Sequence, residues 1–186
     1  MAEIILASQS PRRKQLLEWA EIDFEVLVES TDESYPPDLD PKNVAIYIAR
    51  NKAEAVKEKA GGKTVIAADT IVVLNNEIIG KPKGRDDAVF TLRKLSGNNH
   101  KVITGVTIAN TEKEIFFSDT TMVDFHKLTD DQIDFYVDKY RPFDKAGAYG
   151  IQDWIGVIGM KSIQGDFYNV MGLPVSRVVQ LLRHFF

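Results

Sequence analysis

The chain reads as an α/β protein with a mixed sheet, and three observations carry that reading. Apolar runs of strand length are interleaved along the chain with stretches of helical pattern. Helix starts recur after such runs, at Ser10-Pro11, Asp40-Pro41 and Thr129. Hairpin-type turns, Asn75-Asn76 and Gln164-Gly165-Asp166, separate neighbouring apolar runs.

Taken in order, residues 3–7 predict a strand and 11–20 a helix with Leu16, Leu17 and Trp19 available for a core. Phe24 to Val28 predicts a second strand, followed by the acidic, proline-containing loop ESTDESYPPDLDP. Asp40-Pro41 opens a long helix to about residue 60, which Gly61-Gly62 stops. Thr64 to Leu74 is a strongly apolar strand that turns at Asn75-Asn76 into Glu77-Ile78-Ile79. Residues 86–95 predict a helix, and 100–109 and 115–125 two antiparallel strands. Thr129 caps a helix to about Tyr140, and DKAGAYGIQ is a glycine-rich loop. Residues 155–163 and 167–170 predict strands, and Pro174 opens the last helix.

A length of 186 residues suits one compact domain, and an apolar content of 44% suffices for a real core. The net charge of −4 argues against a general nucleic-acid binder. Cysteine is absent, which removes disulfides, thiolate nucleophiles and Cys-zinc sites. No signal peptide and no apolar run of membrane-spanning length is visible, so the expected location is the cytoplasm, without a membrane partner.

Four features break the pattern of a purely structural chain. Arg12, Arg13 and Lys14 crowd the start of the first helix, where the macrodipole favours anions and each cation costs roughly 0.3–1 kcal/mol. Either the arginines are solvated, or the helix end after a strand holds an anion to which guanidinium groups add bidentate donors. Asp69 lies in an apolar strand whose same-face neighbours Val65, Ala67, Ile71 and Val73 are all apolar. Burying an unpaired carboxylate is costly, so Asp69 reads as functional rather than merely solvated. Lys52 interrupts the apolar helical stripe Ala45, Ile48, Ala49, Val56, either by snorkelling or to meet a ligand. Lys81 stands similarly in the turn Gly80-Lys81-Pro82, and DKAGAYGIQ joins glycines with a carboxylate, an ammonium, a phenol and an amide. P-loop and GxGxxG fingerprints are absent, and His100, His126 and His184 lack metal-ligand spacing. What remains is phosphate chemistry with scattered Arg and Lys and carboxylates able to hold Mg²⁺.

LASQSPRRKQLL, ARNKA, AADTIV, GKP, LSGNNHKVITGV, DKAGAYGIQ and NVMGLPV occur here in the order seen in the Maf family of nucleotide pyrophosphatases, which the chain resembles from residue 5 to about residue 176. The resemblance implies one Maf-like domain over residues 1–186, with an elongated mixed sheet flanked by helices. It also implies two lobes around a central cleft, similar to the inosine-triphosphate pyrophosphatases. The implied activity is hydrolysis of a nucleoside triphosphate to the monophosphate and pyrophosphate with a divalent cation, Mg²⁺ or Mn²⁺. The implied proton acceptor is Asp69, with Lys52 and Lys81 as further catalytic residues. Ser8 and Arg12 are implied substrate contacts, and Glu33 joins Asp69 as a metal ligand, although STDES departs from the family's commoner pair of glutamates. Arg13, Thr70 and Gln152 resemble the group acting on dTTP and UTP rather than on 7-methyl-GTP. Arg12 is then expected to face the triphosphate, and Arg13 to support base selection or cleft shape. The rival readings are an inosine/xanthosine triphosphate pyrophosphatase and a nucleotide-binding regulator of cell division with little catalysis. A homodimer is compatible with the sequence, which does not itself give the oligomeric state.

Overall fold

The structure, a computed structural model, describes residues 3–186. Its elements are β1 (Ile4–Leu6), α1 (Pro11–Trp19), β2 (Glu25–Val26), α2 (Pro41–Lys57), β3 (Thr64–Leu74), β4 (Glu77–Ile79), α3 (Arg85–Leu95), β5 (Asn99–Ala109), β6 (Glu114–Phe125), α4 (Asp130–Tyr140), a 3-10 turn (Ala146–Ala148), α5 (Trp154–Gly159), β7 (Met160–Gln164), α6 (Phe167–Met171) and α7 (Val175–Leu182). Among the described residues, seven strands form one sheet in the order β2-β1-β3-β5-β6-β7, with β4 paired to β3. β1 is parallel to β2 and β3, while β4 is antiparallel to β3 and β7 to β6. The mixed α/β architecture expected from the interleaved pattern is therefore present. The chain forms two compact units, the first made of the chain up to Thr70, Thr104–Asp119 and the segment from Gly172, the second of Ile71–Ile103 and Thr120–Met171.

In the first unit, α2 starts at Asp40, whose carboxylate accepts the N–H groups of Lys42 and Asn43 at 3.0 and 3.3 Å. Its buried stripe, Val44, Ala45, Ile48, Ala49, Ala53 and Val56, is rich in alanine, so the helix lies low on the sheet. Gly105 of β5 makes the closest approach: a Cβ there would lie 2.2 Å from the carbonyl carbon of Ala45. Ile5, Ala7, Val65 and Ala67 pack with Ala53, Val56 and Ala60. Odd-numbered residues of β1 and β3 thus face α2, and alternation sends their even-numbered neighbours to the other face.

In the second unit, Asn75 and Asn76 both take positive φ, 49° and 66°, and close the two-residue hairpin that pairs Leu74 with Glu77. Thr129 and Gln132 form a reciprocal capping box at the start of α4. His100 is fully buried, edge-on to Phe125 and Tyr149, with Nε2 2.7 Å from the Tyr149 hydroxyl. Burial lowers its pKa to about 4, against a smaller opposing pull from Asp124.

Two expected strands are not as the pattern suggested. Residues 155–163 form helix α5 followed by β7 rather than one strand. The β-branched run lost to a local constraint, because Asp153 O accepts the N–H groups of Gly156 and Val157 at 2.9 and 3.3 Å. Gly156 fits only without a side chain, since a Cβ would lie 1.9 Å from Ile151 O. Residues 167–170 lie in helix α6, not a strand. Asp166 starts that turn by accepting the Tyr168 N–H at 2.8 Å, and the Asn169 amide anchors it on Val102 O and Thr121 Oγ1. β2 is also shorter than the expected Phe24–Val28, covering Glu25–Val26.

Two stability outcomes follow from these contacts. Gly105→Ala drives a methyl into the α2 backbone and should cost about 1–3 kcal/mol in urea unfolding. For His100, the unfolded chain binds a proton below about pH 6.5 that the folded chain refuses until about pH 4. Stability should therefore fall as pH drops through that window, by roughly 1 kcal/mol per pH unit at its steepest. His100→Gln should flatten this slope while leaving the carboxylate losses at lower pH; an unchanged slope would exclude His100 as its source.

Candidate active site

The site in the first unit arises where β1 stops and β3 continues. Ala7 N–H still reaches Ile66 O, at 2.8 Å, and the chain then departs through Ser8-Gln9-Ser10 into α1. Asp69 and Thr70 lie on β3 just beyond that departure. A crevice outside the carboxyl ends of parallel strands is where open α/β sheets bind ligands.

Asp69 and Lys52, anomalous in separate stretches of sequence, are partners. Lys52 Nζ donates to Asp69 Oδ1 at 2.7 Å and lies 2.7 Å from Glu33 Oε1. The Lys52 and Asp69 side chains are only 16% and 10% exposed, whereas Glu33 is about half exposed. Low exposure makes the pair more than a surface ion pair, since both charges have given up most of their water. Glu33 is carried by a turn that Asp32 closes, accepting the Ser34 N–H at 2.8 Å and its hydroxyl at 2.6 Å. Those two bonds hold the Asp32 carboxyl below the usual range. Asp32 therefore shapes the turn that presents Glu33.

The two arginines of α1 divide their roles. Arg13 is buried and donates to the protein from each of its three guanidinium nitrogens: Nε to Gly172 O at 2.7 Å, one terminal nitrogen to Ser8 Oγ at 3.1 Å, and the other to Thr70 Oγ1 at 3.0 Å. Thr70 Oγ1 lies 3.0 Å from Thr104 Oγ1, which extends the network to β5. Burial lowers the Arg13 pKa to about 10, against a pull upward from Asp69. Through its hydrogen bonds Arg13 ties α1 to β3 and to the segment at Gly172. Ser8 Oγ also accepts the Ser10 N–H at 3.2 Å, and Ser10 makes no side-chain cap. No acidic residue occupies the first turn of α1, where Arg12 sits half-exposed.

Lys81 and Gln152 belong to the second unit, both exposed. Their stretches meet through Gly147, whose N–H donates to Gly80 O at 3.1 Å. Gly147 has φ +72°, and a Cβ there would lie 2.8 Å from Val72 Cγ2. The nine expected residues thus form two groups: Ser8, Arg12, Arg13, Glu33, Lys52, Asp69 and Thr70 in one unit, Lys81 and Gln152 in the other. Thr104, Gly172, Tyr136 and Asp153 support these groups and escaped the sequence reading.

Among the described residues no three His, Asp or Glu side chains converge as a metal cage. The Asp69 and Glu33 carboxylates, gathered on one ammonium nitrogen, are nevertheless a hard oxygen pair. That donor set suits Mg²⁺, which is commonly held by one or two carboxylates plus substrate phosphates. No helix among the described residues is long and apolar enough to cross a membrane.

The fold and site define an α/β protein that gathers cations and a buried carboxylate at the end of a parallel strand pair. The chain belongs to the Maf-like protein family, whose model matches residues 3–185. It is 51% identical to a dTTP/UTP pyrophosphatase of Cytophaga hutchinsonii over 99% of this chain and 84% of that one. It is also 51% identical to one of Parabacteroides distasonis, over 98% of this chain and 96% of that one. A solved HAM1 protein from Coxiella burnetii, 15% identical, matches over 99% of this chain and 100% of its own with a TM-score of 0.49.

The division between the arginines is measurable. Arg13→Ala should cost on the order of 3 kcal/mol in urea unfolding, because Ser8, Thr70 and the Gly172 carbonyl lose a charged donor together. Arg12→Ala, at a half-exposed side chain, should cost less than Arg13→Ala. Equal losses would contradict the separation.

Proposed function

We propose that this chain is a nucleoside triphosphate pyrophosphatase acting on dTTP and UTP, and on modified pyrimidine triphosphates, and that it cleans the cytoplasmic nucleotide pool. The reading treats residues 1–186 as one catalytic domain. The observation that carries it is Lys52 Nζ held 2.7 Å from both Asp69 and Glu33, beside the cation-rich start of α1. The relatives named dTTP/UTP pyrophosphatase, at 51% identity, support it and supply the choice of base.

In the proposed reaction the triphosphate lies at the N-terminus of α1, where the positive end of the helix dipole and Arg12 meet its charge. Ser8, whose oxygen already accepts two hydrogen bonds, has its hydroxyl proton to give to a phosphate oxygen. Lys52 fixes one oxygen of Asp69, and the other takes a proton from water as its oxygen attacks the α-phosphorus. The bond from the α-phosphorus to the bridging oxygen breaks, and pyrophosphate leaves with the electron pair. Arg12 and Lys52 stabilise the charge that develops there, a role also assigned to Lys81 by its place in the family motif. A divalent cation, Mg²⁺ or Mn²⁺, would be held by Asp69 and Glu33 and would supply charge neutralisation on the phosphates.

Gln152 is assigned to the base. Its amide offers one acceptor and a donor group, matching the acceptor–donor–acceptor edge of uracil and thymine. Cytosine replaces O4 with an amino group and lacks the N3 proton, which leaves a partner unpaired.

A panel of nucleotides, assayed separately for phosphate and pyrophosphate, tests this reading. dTTP and UTP should yield monophosphate and pyrophosphate at least about tenfold more efficiently than CTP, ATP or GTP. Asp69→Asn, nearly isosteric, should keep the fold and lose about 10²-fold or more in turnover. An Asn variant within about tenfold of wild type would remove Asp69 as the base. Preference for ITP or 7-methyl-GTP would overturn the assignment of substrate.

A further inference from the structure

One buried polar side chain of the second unit is held at its hydroxyl in a way that no phosphate chemistry requires. Tyr136, on α4, is fully buried, yet its hydroxyl is bonded on both sides. It donates to Asp153 Oδ2 at 2.7 Å and accepts the Gly150 N–H at 3.1 Å. Those two partners are the ends of a single turn, because Asp153 N–H donates back to Gly150 O at 3.0 Å. Gln152 is the third residue of that turn and is exposed at its tip.

The side chains of Asp153 and Gln152 fold close over the glycine of the turn. A Cβ at Gly150 would lie 2.5 Å from Asp153 Oδ2 and 2.9 Å from Gln152 Nε2. The Gln152 amide is therefore folded against the backbone that Tyr136 holds. Asp153 also anchors the far side, where its carbonyl receives the N–H of Gly156 at the start of α5. The Tyr136 ring itself stacks on Tyr140, with centroids 5.1 Å apart and planes inclined by 25°. Packing thus fixes the ring, and the ring's hydroxyl fixes the turn.

We propose that Tyr136 is a positioning residue for base selection: its hydroxyl grips the Gly150–Asp153 turn at both ends and so aims the Gln152 amide. The inference rests on the assignment of Gln152 to the base. Removing the hydroxyl leaves the Gly150 N–H and an Asp153 oxygen without that partner, and the turn is released to tilt. A hydrogen-bonding edge that tilts loses discrimination before it loses catalysis, because the reacting phosphate is bound elsewhere on the substrate.

The experiment compares kcat and KM for UTP and CTP in wild type, Tyr136→Phe, Gln152→Ala and the double variant, with melting curves for each. Tyr136→Phe should lower the UTP-over-CTP ratio of kcat/KM by about tenfold, mainly through a higher KM for UTP with kcat nearly unchanged. In the Gln152→Ala background the same substitution should change the ratio little, since the residue it aims is gone. An unchanged ratio in Tyr136→Phe, an equal loss on both nucleotides, or an undiminished effect without Gln152 would each overturn the inference. If Tyr136→Phe melts below the assay temperature, Asp153→Ala, which removes the acceptor, takes its place, with the same shift expected and an unchanged ratio overturning the proposal. A wild-type protein that does not prefer UTP overturns the base assignment and this inference with it. A preference that survives Tyr136→Phe overturns this inference alone.

Discussion

The ion pair of Lys52 and Asp69 is the interaction around which the first unit is arranged. A lysine side chain reaches a carboxylate in the sheet only if its helix lies low on that sheet. Ala45, Ala49 and Ala53 keep α2 thin on its buried side, and Gly105 lets its backbone rest on β5. The apolar contacts of Ile5, Ala7, Val65 and Ala67 with Ala53 and Val56 supply the adhesion that holds two nearly dehydrated charges together. Glu33 then shares the same ammonium from a loop that Asp32 closes.

The opposite face of the strands is organised by the other sign of constraint. Asp69 faces α2, so Thr70 faces away, and there Arg13 binds Thr70, Ser8 and the Gly172 carbonyl. The two faces are electrostatically linked, because Asp69 raises the pKa that burial lowers in Arg13. The middle of β3, just beyond the end of β1, is thus gripped from α2 by a lysine and from α1 by an arginine. One of the cations crowded where a helix dipole disfavours them is thus taken up by the scaffold, through Arg13.

Much of this was legible from residue order. The apolar strand Thr64–Leu74 and its Asn75-Asn76 hairpin stand where the pattern put them, because an eleven-residue apolar run followed by two asparagines admits few alternatives. Asp69 and Lys52 stood out as polar interruptions of apolar patterns. Their mutual contact was not legible, since it depends on how low α2 sits. The burial of Arg13 was hidden for a similar reason: its partners lie 5, 57 and 159 residues away. Tyr136 carried no signal at all, because a buried tyrosine on an amphipathic helix looks like ordinary core. The misread segments, 155–163 and 167–170, are those where Asp153 and Asp166 start short helical turns against β-forming composition.

The central claim is that Lys52 and Asp69 act as one unit on the substrate. A double-mutant cycle on kcat/KM for dTTP, with Lys52→Met, Asp69→Asn and both together, measures this directly. The account predicts strong non-additivity, with the double variant falling no more than about tenfold below the weaker single variant. Losses that multiply, each substitution acting with full effect in the absence of the other residue, would contradict it.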